Sequence, residues 1–271
     1  MKQPLSPALA VAPAVAVAAA LAIRQPSSAL VWGLGCGLGH VLVRSRFGFA
    51  SGYRRLLQRR DAGSVFAQLL LAALLVMAMA LVLAAEPLTG LRPKLLATPL
   101  SLPFLAGAFL FGIGMERARA CGCGTLAATS RGGAGVLAAL VGLVAGAFLG
   151  TLHAPQLAAL PLPRLPSPVS LDWFGLLGAL TFQLAFIAVL TLVLSRWSGQ
   201  VPWHGEGRGP YGGAIAVALL ATGLLLVTAE PWKVLWGLAL SGAHAAQALG
   251  WDPGGSLFWS SPRGQALLTG P

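Results

Sequence analysis

The sequence predicts an all-α polytopic membrane protein, built from transmembrane helices and short re-entrant helices in repeated units. Three observations predict it. The chain is 56% hydrophobic and 9% charged, with a mean hydropathy of +0.79, whereas a soluble domain carries about 25% charged residues. Its apolar stretches, residues 63–85 and 171–194 among them, are continuous and reach the roughly 20 residues that cross a bilayer. They do not alternate as barrel strands do. Finally, one local pattern occurs twice. Arg44-Ser45-Arg46-Phe47-Gly48 follows a glycine-interrupted apolar segment, and so does Arg117-Ala118-Arg119-Ala120-Cys121. Aligning the arginines carries Gly39 onto Gly112 and Gly48 onto Cys121. Paired, Gly-interrupted apolar segments mark the binding site in many secondary transporters.

Taken in order, residues 7–23 form an Ala/Val-rich run after Lys2. No Ala-x-Ala site leads into a soluble domain, so the run reads as a first membrane helix and not a cleaved signal. Residues 29–43 are short for a span and carry Gly33, Gly35, Gly37 and Gly39, which suits a re-entrant segment. A second short helix is expected over 47–57, and a clean transmembrane helix over 63–85, closed by Glu86-Pro87. Residues 101–115 are again short and broken by Gly112 and Gly114. In the span 133–152, Gly135, Gly142, Gly146 and Gly150 suggest close helix contacts. Residues 154–169 carry five prolines and read as an extended linker. Further spans are expected over 171–194 and 211–229, and a shorter helix over 233–249. Trp173, Trp197, Trp232, Trp236, Trp251 and Trp259 read as membrane-interface anchors. The chain thus divides into a first repeat region with two glycine-rich re-entrant segments (1–153), a proline-rich linker (154–170), and further helices forming an incomplete second half (171–271).

The formal charge of +11 does not indicate nucleic-acid binding. The 18 basic residues are spread over many loops, with no soluble domain to present a patch. The densest run, Arg44 to Arg60, is expected to face the cytoplasm. An enzyme is not expected either. The phosphate-loop and HExxH patterns are missing, and the seven acidic residues are scattered. Cys36, Cys121 and Cys123 make neither a disulfide framework nor a four-ligand zinc site, and no cofactor is implied.

Cys121 is the sharpest candidate. It lies in Cys121-Gly122-Cys123-Gly124-Thr125, after Arg119 and before Arg131. Flanking glycines let backbone N–H groups turn toward an anion, and a thiol adds a soft, polarizable contact suited to sulfur. The alternative, a cysteine acting as a small buried hydrophobe, stays open. Cys123 either contacts substrate or fills space, and Cys36 either lines a pathway or packs. Glu116, Arg117 and Arg119 lie near membrane depth, where charge is costly and often functional; an ion pair or snorkelling at the membrane edge is the other reading. His40 and the His244–Gln247 pair are weighed as pathway groups or as structure.

At these residues the chain resembles the YeeE/YedE family of thiosulfate-transporting membrane proteins. The stretch from Gly112-Ile113-Gly114 to Cys121-Gly122-Cys123-Gly124-Thr125-Leu126 is similar to that family's glycine-flanked cysteine signature. Arg44-Ser45-Arg46-Phe47-Gly48-Phe49 resembles its earlier loop, and Pro231-Trp232 through Trp236-Gly237, with Leu249-Gly250, a later segment. The resemblance implies thiosulfate uptake across the inner membrane, with short helices meeting at a waist where cysteines contact the substrate. Cys121 maps onto the central cysteine. Gly48 stands where a cysteine is usual, with Cys36 as a stand-in. The implied substrate-binding set is Cys121, Cys123, Gly122, Gly124, Thr125, Arg119, Arg46, Gly48 and Cys36. Family members carry a second pair of loops after the point where this chain stops, so a shortened member or one needing a partner chain is expected. A membrane sulfurtransferase using Cys121 as nucleophile, a non-transporting partner subunit, and a sulfur-carrier protein as partner are the remaining alternatives.

Overall fold

The computed structural model describes residues 15, 17–23, 25–45, 48–95, 100–130, 132–161, 164–165, 170–203 and 209–269. Residues 17–23 are helical, and most of the run before them lies outside the described residues. Eleven helices follow among the described residues: α1 Pro26–Ser45, α2 Phe49–Arg59, α3 Gly63–Ala84, the single turn α4 Glu86–Thr89, α5 Leu102–Ala118, α6 Gly122–Thr129, α7 Ala134–Ala159, α8 Ser170–Ser198, α9 Gly209–Thr228, α10 Val234–Ala248 and α11 Pro262–Thr269. Among the described residues, five stretches are long and apolar enough to cross a membrane: Pro26–Arg59, which joins α1 and α2, and then α3, α7, α8 and α9. The protein is an all-α polytopic membrane protein. Two strands of two residues, β1 Leu100–Ser101 and β2 Arg164–Leu165, pair antiparallel.

The chain forms two compact units that interleave along the sequence. The first comprises residues 1–47, 52–95 and 170–232; the second comprises 48–51, 96–169 and 233–271. In the first unit α9 packs against α1 and α3, and α3 also packs against α8. Tyr211, Ala214, Val217, Ala218 and Leu224 are buried along α9 at helical spacing, with Val65, Phe66 and Leu71 of α3 and Leu38 of α1 in the same core. Polar groups hold the ends. The Arg55 side chain donates to Ser64 Oγ, and the Ala62 amide donates to Gln200 Oε1 at 2.8 Å. The guanidinium of Arg60 stands 5.6 Å from the Trp197 ring centroid, a cation–π contact. At the far end of α3, Pro87 cannot continue the helix, and Gly90 closes α4 in a left-handed conformation.

Helix α1 corrects one expectation. At 20 residues it is about 30 Å long, enough to span. The glycines sit inside a continuous helix because α9 supplies tertiary support. A Cβ on Gly37 would lie 3.3 Å from Leu220 Cδ2, and one on Gly223 would lie 3.3 Å from Leu34 Cδ2. Each helix thus offers a glycine to a leucine of the other.

The second unit is organised around α7, which packs against α5, α6 and α10. Here two further expectations change. Residues 154–159 belong to α7, with Pro155 inside the helix, so the linker reading does not hold for them; residues 162–163 and 166–169 lie outside the described residues. The glycines of α7 are also not the close-contact positions. Nothing approaches within 4 Å of a Cβ built on Gly135, Gly142, Gly146 or Gly150. The close approach is made by Gly242 of α10, where a Cβ would stand 2.6 Å from Phe148 Cβ. Gly242→Val is therefore expected to lower stability by about 1–3 kcal/mol, the usual range for overpacking. A melting temperature in detergent equal to that of the unaltered protein would contradict this packing.

Trp259 is a core residue and not an interface anchor, with 0% exposure. Its Nε1 donates to Thr151 Oγ1 at 2.9 Å. It lies edge-on to Phe258, which stacks on Trp236. These contacts fasten the segment after α10 onto α7.

Candidate functional site

The repeat in the sequence is a repeat in structure. Helix α1 ends at Ser45 and α2 begins at Phe49; α5 ends at Ala118 and α6 begins at Gly122. The alignment that pairs Arg44 with Arg117 carries each of these boundaries onto its counterpart. Gly48 and Cys121 are thus the residues immediately before two short helices. In the second copy Ser101 starts α5, its Oγ accepting from the Phe104 amide. Arg119 ends it in a left-handed conformation, φ 55°, a position that usually prefers glycine.

Cys121 is the N-cap of α6, with its Sγ accepting from the Gly124 amide at 3.4 Å. The backbone amide of Phe49, the first residue of α2, donates to the same sulfur, as does the Cys123 thiol. One sulfur therefore gathers donors from the starts of both short helices. Helix N-termini carry a positive partial charge and favour anions. A Cβ on Gly122 would lie 3.8 Å from Leu143 Cδ2. Leu143 is well inside the spanning helix α7, about 13 Å from its start at 1.5 Å per residue. The break between α5 and α6 accordingly lies at a depth where non-helical backbone persists only when buried or lining a cavity.

It lines a cavity of about 440 Å³. Phe111, Gly114, Met115 and Ala118 supply the α5 wall, spaced as one helical face. Gly135, Ala139, Gly142 and Leu143 supply the α7 wall in the same way. Between the walls stand Cys121, Gly122 and Thr125, with Arg117 as the charged member of the lining. Thr125 is 4% exposed. Beyond α6, Gly132 (φ 71°) and Gly133 (φ 115°) adopt backbone that L side chains rarely take, and so turn the chain into α7.

The family model for sulphur transport matches residues 44–269. The chain belongs to the sulphur transport family. Its match begins at the first arginine of the repeat and takes in both helix breaks, the cavity and the segment anchored by Trp259. Among curated proteins, none matches the chain. The family is one of transporters, and the match together with the spanning helices supports a multi-pass, sulphur-related transporter.

Within this sulphur transport protein, the residues singled out from sequence divide clearly. Cys121, Gly122 and Thr125 line the cavity. Gly124 and Cys123 donate to the Cys121 sulfur without lining it. Gly48 precedes the amide that reaches that sulfur, and a Cβ on it would meet Ser51 Oγ at 3.1 Å. Arg119 is exposed outside the lining. Cys36 is exposed on α1 in the other unit. Arg46 lies outside the described residues. All three cysteines are free thiols. The sequence-derived site omitted Arg117, Phe111 and Leu143. Arg117 is one of the three charges weighed above as functional at membrane depth, and the helical spacing of Phe111 with Gly114 on α5 and of Leu143 with Ala139 on α7 is the signal for the other two.

Proposed function

We propose that this protein is an inner-membrane transporter that takes up thiosulfate or a related sulfur-containing anion, with Cys121 contacting the substrate at a constriction. The observation that carries the reading is the setting of the Cys121 sulfur. It stands at the edge of a cavity within an apolar span, at the start of α6, with amides of Gly124 and Phe49 directed at it. Those amides attract negative charge, and the thiol gives sulfur a soft, weakly hydrogen-bonding neighbour where water would be excluded. The Thr125 hydroxyl adds a polar contact. Membership of the sulphur transport family supports the sulfur-bearing substrate.

Purified protein in liposomes is expected to accumulate radiolabelled thiosulfate above protein-free liposomes, saturably, and with inhibition by excess unlabelled thiosulfate. Verified insertion without any uptake would refute the proposal.

A further inference from the structure

The cavity has one charged wall residue and no carboxylate among its lining residues. That residue is Arg117, in the last turn of α5. Its position answers a physical problem created by the broken helix. An anion beside Cys121 benefits from the start of α6 but also meets the end of α5, whose last carbonyls carry roughly half a negative charge. A guanidinium in that last turn cancels the unfavourable end. Arg44 occupies the matching place in the last turn of α1, so the same compensation is written into both copies of the repeat. The neighbouring Arg119 has left the helix and does not line the cavity, and Glu116 does not line it either.

A second, independent feature points the same way. Thr125 is nine-tenths buried and lines the same cavity beside Cys121, so its hydroxyl brings a polar group to that wall.

We infer that Arg117 is the specificity-determining residue of the cavity, and that it selects a polyatomic oxyanion by holding its oxygen end while Cys121 meets its sulfur end. This rests on the transport reading above and extends it to the substrate class. The guanidinium fork pairs two oxygens at once, which an ammonium does not. An oxygen-free sulfur anion such as hydrosulfide offers no oxygen pair and gains little from it.

The test uses the full chain in liposomes with radiolabelled thiosulfate, comparing the unaltered protein with Arg117→Gln, Arg117→Lys and Arg119→Gln. Arg117→Gln is expected to raise the half-saturating thiosulfate concentration about tenfold or more, as loss of a charge-assisted bidentate contact does, with a smaller change in maximal rate. Arg117→Lys is expected to recover part of that loss, and Arg119→Gln to leave half-saturation unchanged. If the unaltered protein and Arg119→Gln transport and Arg117→Gln has unchanged half-saturation, this inference falls while the transport reading stands. If the unaltered protein takes up nothing, both fall. Should Arg117→Gln fail to insert, Arg117→Lys decides: wild-type half-saturation overturns the inference, and a raised value supports it.

Discussion

Replacing Cys121 by alanine is expected to reduce thiosulfate uptake by roughly tenfold or more, in line with the loss of about 1.5–3 kcal/mol for a hydrogen bond to a charged partner. The protein should still reach the membrane. Cys121 has two separable roles, and a second variant separates them. Its sulfur caps α6 by accepting from the Gly124 amide, and its thiol faces the cavity. Serine is a better N-cap than cysteine, because a hydroxyl oxygen is a stronger acceptor than a thiol. Cys121→Ser should therefore keep α6 intact while removing the soft sulfur contact. Reduced uptake in both variants, with normal elution of each as a folded species, assigns the effect to sulfur. Wild-type uptake by Cys121→Ser would show that capping alone matters and would remove the thiol from the mechanism. Cys123 provides the internal comparison. It donates to Cys121 without lining the cavity, so Cys123→Ala should weaken uptake less than Cys121→Ala.

Trp259→Ala is expected to cost about 3–5 kcal/mol, the range for emptying a buried aromatic site. The indole has no exposure and packs against Phe258 and Phe148. Little rearrangement can fill the space, because Gly264 runs so close that a Cβ on it would stand 2.7 Å from the Trp259 Cα. Trp259→Phe isolates the Nε1 contact. It should cost about 1 kcal/mol beyond packing, since Thr151 keeps its own bond to the Phe148 carbonyl. Thermal unfolding in detergent reads both. An unchanged midpoint for Trp259→Ala would mean that the segment after α10 does not depend on this anchor.

Much of the architecture was legible in the chain. The apolar runs at 63–85, 171–194 and 211–229 became α3, α8 and α9 with boundaries within a few residues. A helix in a bilayer must satisfy its backbone internally, so length and hydropathy alone mark it. The short helix before Arg60 and the cysteine turn were also readable, because the arginine repeat and the glycines record where a helix stops. Less legible were positions where a neighbour decides the outcome. Residues 29–43 looked too short to span, yet α1 extends from Pro26 to Ser45. Pro155 looked like a linker residue, yet α7 carries it.

The sequence by itself determined the membrane class, the spans α3, α8 and α9, the places where the two short helices begin and the turn that presents Cys121, since each depends on local composition and spacing. Only the tertiary structure decided which arginine faces the cavity, which glycine admits a neighbouring helix, and which tryptophan is buried. Arg117 retains helical periodicity and lines the cavity, whereas Arg119 adopts a left-handed backbone that no helical spacing describes. Gly242 meets Phe148 while the glycines of α7 face open space. The convergence of the Phe49 and Gly124 amides on one sulfur likewise joins residues far apart in the chain. Side-chain direction along one helix follows from its own period; what that side chain meets depends on the helices packed against it.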